Sequence, residues 1–350
     1  MTAAALELRP LTLGEIIDRA VRLYRQNFVN FIGIIALVQV PLSIFQLMVT
    51  AYNLNNPVNV QRQADTYQQL VDNLSSSGYL DRAAIQVLLT VASFILVQGV
   101  ATAALTRAIA DNYLGRKTDM LEAYSRLGGA WVRLIGVLIL MVLLCVILFI
   151  WLIVPCVGWI SGPGLLVYVA MVVSPLLAPV VVLENLGTGA IRRAWDLVRR
   201  RFWWALGFMV ILVIFNQIIT AGPSMVATLF LQYALKNQSV EYTNLIQTLV
   251  QALVGLGASL FYLPIQLGAI TLMYLDLRVR TEGFDLAVLA GATAGQDMVD
   301  LTGQASTAAP SPLITGNELG NFVLISILGI GGICLVSYLL QALFLSMYGF

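Results

Sequence analysis

Residues 131–154 read WVRLIGVLILMVLLCVILFIWLIV, with Arg133 as the sole charge. A bilayer hydrocarbon core about 30 Å thick needs roughly 20 apolar helical residues, so this stretch is long enough to cross it. Working outward, comparable runs lie near 28–52, 83–110, 164–183, 202–221, 246–275 and 320–347, which predicts seven membrane-crossing helices in all. The basic residues orient them. All but three of the 19 Lys and Arg residues fall on one side of the alternation. They gather at Arg9, Arg19, Arg22 and Arg25, at Arg107, Arg116, Lys117, Arg126 and Arg133, at Arg192, Arg193, Arg199, Arg200 and Arg201, and at Arg278 and Arg280. Arg62, Arg82 and Lys236 are the exceptions. Loops that stay cytoplasmic retain Lys and Arg, so the N-terminus is expected inside. The seventh helix is oriented only by counting, and that places the C-terminus outside.

Composition narrows the function classes. Hydrophobic residues make up 59% of the 350 and charged residues 11%, against about 45–50% and 25% in soluble domains. A nucleic-acid binder would gather its basic residues into one soluble patch, so no nucleic-acid partner is expected. The chain has no histidine, which removes the commonest general base and the usual Ser/His and Cys/His pairs. Cys145, Cys156 and Cys334 are isolated, with neither metal-ligand nor disulfide spacing. Phosphate-loop, nucleophile-elbow and dinucleotide-binding signatures are absent from the sequence. A non-enzymatic protein without cofactor or metal is the expectation. Seven charges before position 26, followed by a full-length apolar run, argue against a cleavable signal peptide.

The connecting segments carry more detail. Residues 53–82 form a polar, amide-rich outer loop with a short helix expected around 60–74. Residues 155–164 read as a tight loop. Residues 222–245 open on Gly222-Pro223 and suggest an interfacial or re-entrant helix. On the inner side, Leu13, Ile16, Ile17, Ala20, Val21, Leu23, Tyr24 and Phe28 share one helical arc, opposite Glu15, Asp18, Arg19, Arg22, Arg25 and Gln26. Thr12 and Glu15 have capping-box spacing. Such a helix suits the headgroup region.

The pattern recurs. Ile17, Arg19, Ala20, Leu23, Arg25, Phe28 and Gly33 match Ile191, Arg193, Ala194, Leu197, Arg199, Phe202 and Gly207 at one fixed shift. A weaker match relates Ala20 and Gly33 to Ala123 and Gly136, where Asp119 and Glu122 repeat the capping-box spacing. The expected fold is therefore all-α: six spans within 1–290, arranged as three amphipathic-helix/hairpin pseudo-repeats. A flexible linker over 291–319 and one extra C-terminal span in 320–350 follow. The extra span presents Gly329, Gly331 and Gly332 as a smooth face for close helix packing.

Three stretches resemble a known family. They are Leu8 to Ala20 with Leu23-Tyr24-Arg25 and Phe28, Val181 to Asn185 with Ala190, Arg193, Ala194-Trp195 and Phe202-Trp203, and Tyr274 to Arg280 with Glu282 to Leu286. Over roughly residues 6–290 the chain resembles the uncharacterised bacterial multi-pass membrane family related to the glycerophosphoryl diester phosphodiesterase membrane domain. The resemblance implies a bacterial inner-membrane location and lends no catalytic residue. In some relatives the membrane region is fused to a phosphodiesterase barrel built on histidines and metal-binding carboxylates, and this chain has neither a histidine nor room for a barrel.

Several residues are candidates for a site. Arg19, Arg22, Arg25, Arg192, Arg193, Arg199, Arg200 and Arg201 are candidates for contact with anionic headgroups or a partner, each contributing on the order of 1 kcal/mol near an anionic surface. Setting topology is the plainer role for them. Glu184, Asp276, Arg278 and Arg280 form a carboxylate–arginine group at span ends, and pairing between repeats is the expected arrangement. Gln98, Asn216, Gln217, Gln251 and Gln266 offer amides within the spans, either for interhelical hydrogen bonds or for a polar pathway. No charged residue sits at a span centre, which disfavours an ion-coupled pump. The six tryptophans read as an interfacial belt. The partners expected are membrane lipids and, through the last helix, another membrane protein. The functional expectation is an accessory, scaffold or lipid-interacting subunit, with a passive carrier of a lipid or amphiphile as the alternative.

Overall fold

The protein is seen here as a computed structural model that describes residues 9–55, 77–155, 157–236, 240–293, 303, 315–329 and 331. The elements in chain order are α1 (Leu13–Gln26), α2 (Phe28–Asn55), α3 (Ser77–Ser93), a π-helical segment (Phe94–Ala101), α4 (Thr102–Tyr113), α5 (Met120–Ser125), α6 (Ala130–Trp151) and α7 (Val157–Tyr168). A second π-helical segment (Val169–Val173), α8 (Ser174–Glu184), α9 (Ala190–Arg199), α10 (Phe202–Ala234), α11 (Val240–Glu282) and α12 (Phe284–Thr293) follow. A last helix, α13, covers 316–329. No strand occurs among the described residues.

Six stretches are long and apolar enough to cross a membrane: Phe28–Val49, Val87–Tyr113, Ala130–Trp151, Val157–Glu184, Phe202–Ala234 and Ile246–Glu282. That architecture is consistent with a multi-pass membrane protein. The described residues fall into two compact units, those within 11–135 with those of 211–272, and those within 136–210 with 9–10 and those of 273–331.

In the first unit α1 starts as its sequence predicts. The Glu15 amide donates to Thr12 Oγ1 at 3.4 Å, and the Thr12 amide donates to the Glu15 carboxylate at 2.7 Å. The apolar arc of α1 faces protein: Ile16, Ala20, Leu23 and Tyr24 are buried. Ala20 packs beside Gly268 of α11, and the Tyr24 ring meets Phe261 edge-on, with ring centroids 5.7 Å apart. The expected capping box at Asp119 does not form, because the Glu122 carboxylate pairs with Arg126. The short α5 is instead held from outside: Met120 fills the space over Gly33, and the Tyr124 hydroxyl donates to the Ile34 carbonyl at 2.5 Å. Gly136 and Gly207, aligned with Gly33 in sequence, have nothing within 4 Å where a Cβ would sit, so the three glycines do not share one environment.

Several boundaries differ from the sequence reading. Residues 222–234 are not a separate interfacial or re-entrant helix, since α10 runs unbroken through Pro223 to Ala234. A proline inside a helix loses one backbone bond, and hydroxyls and neighbouring helices make this tolerable in apolar surroundings. Around this one, Thr220, Ser224 and Thr228 each donate to the carbonyl one turn back, at 2.7, 3.0 and 2.8 Å. With 33 and 43 residues, α10 and α11 reach about 50 and about 64 Å at 1.5 Å per residue. Gln251 donates to Thr228 Oγ1 at 3.3 Å and joins them near their shared end. The loop at 155–164 is shorter than expected, because Val157 already begins α7 and Pro163 lies inside it.

The expected linker keeps its two ends in helix: residues 291–293 close α12, and 316–319 open α13. Residues 294–302 and 304–314, the expected short helix at 60–74, and most of the seventh span beyond 329 lie outside the described residues. In the second unit α13 packs on α7 at Gly164, whose amide donates to Ser326 Oγ at 2.8 Å. A Cβ at Gly164 would overlap the Phe322 carbonyl, so glycine is what permits this approach. Gly329 and Gly331, the expected packing face, have nothing within 4 Å, and Gly332 is outside the described residues.

Candidate functional site

The densest polar construction lies in the second unit, where α8, α9 and the end of α11 meet. Two helices that end on a carboxylate build it. α8 ends at Glu184, and Asn185 follows in the left-handed region (φ 59°), turning the chain so that α9 folds back on α8. α11 ends at Glu282, and Gly283 follows with φ 66°. A carboxylate at a helix C-terminus opposes the helix dipole, so each end needs a cation.

Arg193 of α9 supplies it to both. Its Nε lies 3.0 and 2.8 Å from the Glu184 oxygens, and its Nη2 donates to Glu184 at 2.9 Å and to Glu282 at 2.8 Å. A further bond joins Arg193 Nη1 to Glu282. Arg278 is the second cation, donating to Glu282 at 3.1 Å and lying 3.8 Å from Glu184. Its guanidinium sits over the Phe284 ring at 4.6 Å. The Tyr274 hydroxyl donates to Glu184 at 2.7 Å and accepts from Arg278 at 3.3 Å. Two carboxylates and two guanidiniums thus cancel. Burial alone would lower the Arg193 pKa, but the bonds and charges of Glu282 and Glu184 outweigh it and raise the value above the usual one. The arrangement holds its charges fixed and offers no unpaired base.

The predicted cluster is therefore brought together only in part. Glu184 and Arg278 belong to it. Asp276 pairs with Arg280 at 2.8 Å, one turn along the same helix, while Glu184 of α8 meets Arg193 of α9 and Arg278 of α11. Of the candidate headgroup arginines, Arg193 is internal and Arg199 pairs with Glu318 at 2.9 Å. Arg200 donates to the Thr281 carbonyl at 3.2 Å, Arg201 lies over the Trp204 ring at 5.2 Å, and Arg192 reaches Asp196 at 4.0 Å. Tyr274 and Glu282 stood out in the sequence only as part of a family-like stretch, and Glu318 not at all. The i, i+4 spacing of Arg278 and Glu282 was the available signal.

Beside this cluster Tyr168 stacks on Phe202 (centroids 4.1 Å apart), with Trp195 and Phe322 around it. Trp195 is half-buried in this aromatic cluster, while Trp151, Trp159 and Trp203 stay exposed.

The first unit holds a second charged feature. Asp111 is fully buried, accepts from Thr118 Oγ1 at 3.1 Å and lies 3.5 Å from Arg107. Arg19 donates to the Tyr113 hydroxyl at 3.0 Å. On the outer face of α1, Asp18, Val21, Arg22, Arg25 and Gln26 line an open depression of about 520 Å³. Arg22 and Arg25 are exposed there, and Phe28 and Val29 continue the surface with exposed apolar groups. Among the described residues, no three His, Cys, Asp or Glu side chains group closely enough to hold a metal ion. No family model, curated protein or solved structure matches the chain.

Proposed function

We propose that the chain is a non-enzymatic multi-pass membrane protein that binds anionic lipid headgroups on its arginine-rich side, as an accessory or scaffold subunit of a membrane complex. The division of labour among its arginines carries this reading. Arg193, Arg199 and Arg278 are consumed by buried carboxylates, whereas Arg22 and Arg25 face outward beside exposed Phe28. Guanidiniums at a lipid-facing edge match phosphate geometry. Because Ile16, Ala20, Leu23 and Tyr24 of the apolar arc are covered by protein, the polar edge with Phe28 beside it is the part left to meet the membrane surface.

Other parts of the reading follow the sequence. The arginine-rich ends lie on the cytoplasmic side of a bacterial plasma membrane, and the six spans derive from three copies of one unit, with α13 opening an added seventh span toward a partner. Support for the copies comes from the two π-helical segments: the shift that carries Asp111 onto Glu184 also carries Leu96 of the first onto Val169 of the second. The test is native mass spectrometry of the chain released in mild detergent. Anionic phospholipid adducts are expected, and Arg22→Gln with Arg25→Gln should remove most of them. A monomeric, lipid-free wild-type chain sinks the reading. The carrier alternative draws support from an uncharged cavity inside the spans.

A further inference from the structure

Hydrocarbon offers a side-chain amide no hydrogen bond, so an exposed glutamine within a span marks a place where something else supplies one. Two of the exposed glutamines are served inside the protein. Gln46, at the edge of the uncharged cavity of about 290 Å³ between α2 and α11, donates to Ser93 Oγ at 2.7 Å. Gln251 donates to Thr228 Oγ1 at 3.3 Å. Gln98 and Gln217 are exposed near the middle of their spans, and neither makes a hydrogen bond to another described residue.

Of these two, Gln217 has the surroundings of an interface. It sits at the middle of the 33 residues of α10, so whichever 20 or so of them cross the hydrocarbon core include it. Val213, Ile214 and Ala221, on the turns before and after it, are exposed as well. The turn after Gln98 is closed instead, with Ala101 buried and Thr102 half-buried. Ile214, Gln217 and Ala221 follow each other at intervals of three and four residues, the seam along which two nearly parallel helices interlock. The small Ala221 lets the backbones approach closely there.

The amide also identifies what fits against it. A carboxamide carries donors and an acceptor together, so two of them satisfy each other through a pair of hydrogen bonds. Copies of one chain enter the membrane in one orientation, and a two-fold axis along the membrane normal sets identical residues at identical depth. A second copy therefore brings the matching group to Gln217 automatically, whereas a helix of another sequence has to carry an amide at that same depth. In a parallel seam such a polar residue also fixes the register. We infer that the chain forms a parallel two-fold dimer through α10, in which the Gln217 amides of the two copies are hydrogen-bonded to each other. The contact uses neither Arg22 nor Arg25, so it stands or falls apart from headgroup binding.

The experiment uses the full chain, labelled with donor or acceptor fluorophores and diluted stepwise with phosphatidylcholine in vesicles. Energy transfer should report a dimer that dissociates on dilution. Gln217→Leu should weaken it about 10- to 100-fold, the loss of two interhelical hydrogen bonds. Gln217→Asn, which keeps the carboxamide, should recover most of that loss, and Gln98→Leu should leave dimerisation unchanged. In a cysteine-free background with Gln217 retained, Ile214→Cys should cross-link between copies on mild oxidation, while Ile147→Cys, exposed on α6, should not. If Gln217→Leu fails to fold, the two cysteine positions decide. A wild-type chain that stays monomeric at every dilution would overturn the assignment and give Gln217 to a helix of another protein. Undiminished dimerisation of Gln217→Leu, an equal loss in Gln98→Leu, or equal cross-linking at 147 would overturn it too.

Discussion

Glu184 receives Arg193 and Tyr274 at once, with Arg278 close by, so its loss leaves two guanidiniums sharing the single carboxylate of Glu282. Removing one partner of a buried pair costs about 3–5 kcal/mol, and Glu184→Gln should destabilise the chain by that order. Adding Arg193→Met to Glu184→Gln restores neutrality, so the double variant should unfold later than the sum of the two single changes requires. Strict additivity in denaturant unfolding in detergent would show that the cluster is not coupled. Tyr124 gives a second prediction. Burial pushes its hydroxyl up to about 12, from an ordinary 10.0. The folded value is the higher one, so the contribution is complete below pH 10 and fades as pH rises through about 12. Tyr124→Phe should cost about 0.5–1.5 kcal/mol near neutrality and flatten the alkaline limb of the stability profile. An unchanged limb would assign the alkaline loss to other groups. These residues were unequally visible beforehand. Glu184 stood out as a carboxylate closing an apolar run, whereas Tyr274 and Asp111 acquire their roles from partners distant in the chain or across a turn.

Among the elements, α1 was the most legible, because a capping box and an amphipathic arc are written in adjacent residues. The π-helical segments were not, since an extra residue per turn reflects packing and leaves no local signature. Pro223 misled for a related reason: proline breaks helices in water, yet α10 continues through it. Restoring the amide with Pro223→Ala should stabilise the chain, by at most about 3 kcal/mol. A lowered unfolding midpoint in that variant would mean that the proline supports a bend the hairpin needs. Gly164 is the opposite case, a glycine whose importance depends on a helix far along the sequence. Gly164→Ala should force α13 away from α7 at a cost of about 1–3 kcal/mol. Limited proteolysis of residues 315–329 should accelerate accordingly, and unchanged protection would refute the contact.

At the scale of the molecule, membrane class and six of the spans were readable because length and apolarity are all a bilayer demands. The internal ordering of charge was hidden, since counting arginines does not distinguish those that stay exposed from those that meet glutamate. Topology is open to direct measurement. Single cysteines at 117 and 187, in an otherwise cysteine-free chain, should react with an impermeant maleimide from the same side as the N-terminus, and one at 236 from the other. Labelling of 187 and 236 from one side would break the alternation.

The four-charge cluster also bears on how the chain is made. Glu184 and Arg193 are nine residues apart, and Arg278 and Glu282 only four. Each half of the cluster is thus completed within one stretch of newly synthesised chain and is neutral before the other exists. A ribosome that has released only the first half strands no lone charge against the bilayer, and the later half arrives equally balanced. Assembly can therefore pause between them without penalty.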